Sequence, residues 1–133
     1  MSRLLHRTLF ADPPIAVGGK GMYLHAADGR QIIDGSGGAA VACLGHGNAR
    51  VNAGIVEQLS KVAYVHTALF SNQAAEELAE ALVGHSPGGL THAYLVSSGS
   101  EGMEAAIKLA RQYFLEIGQP QRSRYIARRG SYH

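Results

Sequence analysis

"LVSSGSEGMEAAIKLARQYF", residues 95–114, decides the fold: an apolar run gives way to small polar residues and resumes as an amphipathic helix. A strand feeding a helix through Ser97, Ser98, Gly99 and Ser100 sets several backbone N–H groups at the positive end of the helix macrodipole. Anion sites are built in this way. Ser98 or Ser100 can serve as N-cap, and Glu101 stands three residues after Ser98 as in a capping box. A capped helix following a core strand, with no ligand, would use the same residues. Both readings stay open at the level of these residues.

Outward from this turn, helix and strand patterns alternate. Residues 91–96 read as a buried strand, and the helix runs from about 101 to 117, ahead of Gly118 and Pro120. Upstream, residues 73–83 predict a helix with Ala75, Leu78 and Leu82 inward and Glu76, Glu77 and Glu80 outward, ended by Gly84 and Pro87. Residues 125–127 give a second core strand, leading to "RRGSYH". This order is the α/β signature and predicts a mostly parallel sheet with helical crossovers. Two strands do not make a stable open sheet, so residues 63–133 read as the incomplete beginning of a larger domain.

The first half is punctuated by glycine. Within residues 17–38, segments 22–25 and 31–33 read as a hairpin turning at Asp28-Gly29. After "GHGN" (45–48) a helix follows, with Val51, Ile55, Leu59 and Val62 on one face.

Composition narrows the function classes. The 133 residues are 46% hydrophobic and 17% charged, enough for one ordinary core. A net charge of +2, with the basic residues mostly scattered, argues against nucleic acid as a partner. The local excess at Arg122, Arg124, Arg128 and Arg129 reads as solvated surface. A single cysteine, Cys43, excludes an intrachain disulfide framework, and the dispersed histidines show no metal-ligand spacing. A reducing, cytoplasmic location is expected, since no run reaches the length of a membrane span and the first residues lack a signal-peptide core.

Two motifs mimic other chemistries. "GHSPG" (84–88) matches the pattern of a hydrolase nucleophile elbow around Ser86. That elbow needs the N–H of the residue after the serine, and Pro87 has none; a helix also precedes it where a strand is required. "GGKG" and "DGSGG" belong to no strand–glycine-loop–helix unit of the dinucleotide or P-loop kind, and turn chemistry explains them better.

Taken in order from Gly18, the segments "GGKGMYLHAADGRQIIDGSGGAAVACLGHGN", "VEQLSK", "ELAEALVGHSPGGL", "AYLVSSGSEGMEAAIKLARQYF" and "YIARRGSYH" resemble the N-terminal third of a class III aminotransferase. These are pyridoxal-phosphate enzymes of fold type I. The resemblance implies that residues 1–62 contribute a hairpin to a small domain and that residues 63–133 begin the large cofactor-binding domain. It implies that Gly99 and Ser100 bind the cofactor phosphate, that Tyr132 stacks on its ring, and that the segments around Ala39–Val41 and Thr67–Phe70 border the substrate pocket, the latter often across a dimer interface, with Phe70 as the substrate-binding residue. The implied intact protein is a cytoplasmic homodimeric transaminase moving an amino group from an amine or amino acid donor to a 2-oxo acid acceptor. An aminomutase or decarboxylase of the same fold is the alternative, and a non-catalytic phosphate-binding module the alternative from another class.

Departures from the family pattern are visible. Gly102 stands where alanine is usual, and Asn48-Ala49 replaces a proline-containing pair. The family's cofactor-linked lysine, the acid that keeps the pyridine nitrogen protonated and the arginine for the substrate carboxylate have no counterpart here. The three lysines, Lys20, Lys61 and Lys108, lie in a glycine loop, at a helix end and on the helix after the turn. No catalytic residue is therefore expected within these residues, and the chain alone is expected to be inactive and poorly folded.

Overall fold

The computed structural model describes residues 2–131. The chain divides into two compact units, residues 1–65 and 66–133.

In the first unit, β1 (Ala16–Lys20), β2 (Tyr23–Ala26) and β3 (Gln31–Ile33) form an antiparallel meander in the order β1-β2-β3. The expected hairpin is its β2–β3 half, with Tyr23 opposite Ile33 and His25 opposite Gln31. Its turn is closed by the Gly29 N–H donating to the Ala26 carbonyl, at a Gly29 φ of +85°. β1 was not expected. Gly18 and Gly19 weaken its strand signal, yet they pair with His25 and Leu24. Ala26 is the only buried apolar residue among those described.

The two glycine clusters "GGKG" and "GHGN" are the two sides of one backbone contact. Gly21 and His46 exchange N–H···O bonds of 2.9 and 2.7 Å. A Cβ on Gly19 would lie 2.7 Å from His46 Cβ, and one on Gly45 would lie 2.9 Å from the Gly21 carbonyl oxygen. Only glycine permits that approach.

Between β3 and this contact lies α1 (Gly37–Ala40), a single turn whose residues all have positive φ: 57° and 59° at Gly37 and Gly38, 60° and 67° at Ala39 and Ala40. For the two alanines the left-handed conformation costs roughly 1–2 kcal/mol each, because Cβ crowds the following carbonyl. α2 (Ala49–Lys61) then starts at Asn48, whose side-chain oxygen accepts from the N–H groups of Arg50 and Val51. Asn48 thus supplies the helix start that the missing proline does not. Val62, expected on the helix face, is the extended C-cap instead, and Val51, Ile55 and Leu59 remain well exposed.

In the second unit, α3 (Gln73–His85) is capped by Asn72, which accepts from the Ala75 N–H. It runs through Gly84 rather than stopping there; Ser86 is its C-cap, and the Ser86 hydroxyl donates to the Leu82 carbonyl at 2.7 Å. Helix termination thus occupies the serine of the apparent elbow. α4 (Gly99–Glu116) follows the opening turn.

The strands expected at residues 91–96 and 125–127 do not form. Both segments are irregular, with Tyr94 80% exposed and Ile126 fully exposed. A strand exists only through its neighbours' hydrogen bonds, and the described residues offer these segments none. The expected parallel sheet is accordingly missing among them, and the meander is their only sheet. Leu78 and Leu82, expected inward, are about half exposed.

Candidate functional site

The strand–turn–helix expectation is met at its helical end. Ser98, extended at φ −155°, is the N-cap of α4: its Oγ accepts from the Glu101 N–H at 3.2 Å and its carbonyl from the Gly102 N–H at 3.0 Å. Of the two serines that could cap, Ser98 does so. Glu101 folds back to accept from the Ser97 N–H at 2.8 Å, one residue beyond the N-cap amide that an ordinary capping box reaches.

Gly99 and Ser100 occupy the first two helical positions, ahead of the amides that Ser98 consumes. The Gly99 N–H meets no acceptor among the described residues, and a Cβ built on Gly99 would meet nothing within 4 Å. Gly99 thus has room for a side chain at the start of the helix. Ser100 lies at the head of an open groove, which continues past Tyr94, Val96 and Glu104 to Lys108. Lys108 is spent on an exposed ion pair with Glu104 at 3.4 Å, and Lys61 bonds Glu57 at 2.7 Å.

Of the other expected segments, only residues 67–70 lie in the same unit and among the described residues. Phe70 ends a short turn in which the Leu69 and Phe70 amides both donate to the His66 carbonyl, and its ring is 64% exposed. Ala39–Val41 belong to the other unit, and Tyr132 lies outside the described residues.

Sequence reasoning missed a second polar cluster and classed His46 as an ordinary histidine. His46 Nε2 donates to Asp34 Oδ2 at 2.8 Å, the Gly37 N–H to Oδ1 at 2.9 Å and the Ser36 hydroxyl to Oδ1 at 3.3 Å. The side chains of His46 and Asp34 are only 24% and 12% exposed. The His46 bond first, and the Gly37 and Ser36 donors after it, hold the Asp34 carboxyl below its ordinary range against the opposing effect of burial. No local motif signals this pair, because its members are twelve residues apart.

The sequence pattern of the class III aminotransferases matches residues 11–133. The chain belongs to that family. This class III aminotransferase chain is 46% identical, over 91% of its length, to an uncharacterized aminotransferase of Schizosaccharomyces pombe, and it spans 26% of that protein. To the β-alanine–pyruvate aminotransferase of Pseudomonas aeruginosa it is 32% identical over 96% of its length, spanning 29% of that relative. It therefore spans between a quarter and a third of the curated relatives it matches. Among solved structures, the (S)-enantioselective omega-transaminase of Thermomicrobium roseum superposes with a TM-score of 0.81 at 31% identity, over 90% of this chain and 29% of that one. Such neighbours are transaminases of pyridoxal-phosphate fold type I, and the aminotransferase chain shares that fold. No helix among its described residues is long and apolar enough to cross a membrane.

Proposed function

We propose that the protein containing this chain is a pyridoxal-phosphate-dependent transaminase, and that Gly99 and Ser100 hold the phosphate of its cofactor. The observation that carries the assignment is the N-terminus of α4, where the Gly99 amide meets no acceptor among the described residues and a Cβ on Gly99 would meet nothing within 4 Å. A phosphate fits such a turn: backbone N–H groups point at it, and the dipole of an 18-residue helix favours its charge.

In this reading Gly99 contributes its amide, Ser100 its amide and hydroxyl, and Ser98 keeps the turn in shape through its cap. The Glu101 carboxylate, which would oppose an anion here, is drawn back onto Ser97. Tyr132 would lie against the flat face of the ring, and Phe70 would border the substrate. The bound cofactor supplies an electron sink for the amino-bearing carbon. None of Lys20, Lys61 and Lys108 is proposed as the proton-shuttling lysine: Lys20 ends β1, and Lys61 and Lys108 lie on exposed faces of α2 and α4.

The names of the relatives support an amine or amino acid as donor and a 2-oxo acid as acceptor, pyruvate in the Pseudomonas aeruginosa enzyme and 2-oxoglutarate in the diaminobutyrate transaminase of Halomonas elongata. A cytoplasmic homodimer with a small domain drawing on residues 1–62 and a large domain beginning at 63 completes the reading. The division into compact units near residue 65 supports that boundary.

The test is a cofactor titration of the full-length protein followed by absorbance. Ser100→Asp, which sets a carboxylate where the phosphate would lie, is expected to weaken binding by about 100-fold or more, or roughly 2.7 kcal/mol. Unchanged affinity in a folded Ser100→Asp protein would remove the assignment.

A further inference from the structure

The cluster around Asp34 lies outside the proposed cofactor turn and is used by no step of that reading. It adjoins four successive residues at positive φ, of which Ala39 and Ala40 are the only non-glycine residues at positive φ among those described. Strain of this kind persists only where the surroundings over-determine it. The surroundings here can be named. Asp34 is fixed at its backbone by its N–H donating to the Met22 carbonyl at 2.8 Å, which ties it to the end of the meander. One carboxylate oxygen takes the Gly37 amide and the Ser36 hydroxyl at the entrance of the turn. The other takes His46, which the Gly21–His46 backbone bridge delivers from the far side of the turn.

An ionised carboxylate only accepts, so His46 must carry its proton on Nε2. The two ends of residues 36–46 are thus pinned to one side chain. The exit of the turn closes by the Ala42 N–H donating to the Gly37 carbonyl at 2.8 Å and the Gly45 N–H to the Ala42 carbonyl at 2.9 Å.

We propose that Asp34 and His46 are positioning residues: together they form a clasp that forces Gly37–Ala40 into the left-handed turn and so fixes where the backbone of residues 39–43 stands. Clasped, the segment is left-handed and strained; unclasped, Ala39 and Ala40 return to ordinary negative φ and the segment moves. The turn is a two-state element with its catch twelve residues apart in sequence and 2.8 Å apart in space. Anything that binds this face must either accept the clasped backbone or compete for the Asp34 carboxylate.

Hydrogen exchange followed by mass spectrometry on the full-length protein tests this without reference to catalysis. Asp34→Ala is expected to speed exchange across residues 36–46 by about tenfold or more while other segments keep their rates. Ala39→Gly with Ala40→Gly, placed in the Asp34→Ala background, should restore at least half of the lost protection on a logarithmic scale, because glycine enters the left-handed region without the alanine penalty. That rescue separates a clasp holding a strained turn from a carboxylate that merely supports the fold. If Asp34→Ala does not fold, Asp34→Asn replaces it; it keeps one acceptor oxygen and loses the bond from His46, and an intermediate acceleration is expected. Unchanged exchange at 36–46, a uniform rise over the whole protein, or glycine substitutions that rescue nothing would each overturn the proposal.

Discussion

"DGSGG" at residues 34–38 and "SSGS" at residues 97–100 are near neighbours in composition, and the structure makes opposite things of them. In the first, a carboxylate collects an amide, a hydroxyl and an imidazole, and the turn is closed upon itself. In the second, the capping serine takes the amides of Glu101 and Gly102, while Gly99 in front meets no protein atom that a side chain would touch. Small polar residues make a loop; what sits opposite their amides decides whether the loop is a latch or a receptor. An internal anion such as Asp34 satisfies the donors, whereas a neutral hydroxyl such as Ser98 takes the Glu101 amide and leaves the Gly99 amide without an acceptor among the described residues.

The largest expected effect is the loss of cofactor affinity in Ser100→Asp, which would break the receptor side of this comparison. Next comes a matched pair of glycine substitutions in the full-length protein. Gly19→Ala drives a Cβ to 2.7 Å from His46 Cβ and is expected to cost about 1–3 kcal/mol in denaturant unfolding, as overpacking does. Gly99→Ala places its Cβ in open space, so its stability is expected to match or slightly exceed the parent's, since alanine is the better helix former. Equal costs at the two positions would erase the distinction between closed and open turns.

Removing the cap with Ser98→Ala should cost about 0.5–2 kcal/mol and expose the first turn of α4 to faster hydrogen exchange. The latch carries a pH signature as well. Because the folded state holds Asp34 below the ordinary carboxylate value, its contribution to stability is present above about pH 4 and is lost as pH falls through the depressed folded value. Thermal midpoints of the parent and Asp34→Asn should therefore differ at pH 6 and converge toward pH 3; a constant gap would contradict this. The smallest effect is a gain. Gly102→Ala sets a Cβ 3.6 Å from Val96 Cγ2, an ordinary contact, and should stabilise by about 0.5–1 kcal/mol in the same unfolding assay.

Helices were legible where their ends are chemically marked. Ser98 was readable as one of two candidate helix starts, and Gly118 lies just past the end of α4 with a φ of +73°. Strands were legible only where their partner is near in sequence. β2 and β3 face each other across one short turn, so the pair could be read from Asp28-Gly29, whereas residues 91–96 are apolar and have no described neighbour to pair with. β1 escaped notice because its two glycines carry no side-chain signal, although their backbones pair as well as any.

The same reasoning divides the two sites. The start of α4 was visible because the contacts that cap it, among Ser97, Ser98 and Glu101, lie within five residues. The Asp34–His46 pair was not, because it exists only after Gly19, Gly21 and Gly45 let two backbone segments touch. Glycine carries that information as a missing atom, and a missing atom gives no pattern until its neighbour is known.

The well-exposed apolar stripe of α2 and the half-exposed one of α3, with a single alanine buried among the described residues, have a consequence beyond folding. Valine, isoleucine and leucine along these helices leave apolar surface in water. Released by itself into a cell, such a polypeptide would be handled as chaperone and protease clients are, and its lifetime would be set by that triage rather than by its chemistry.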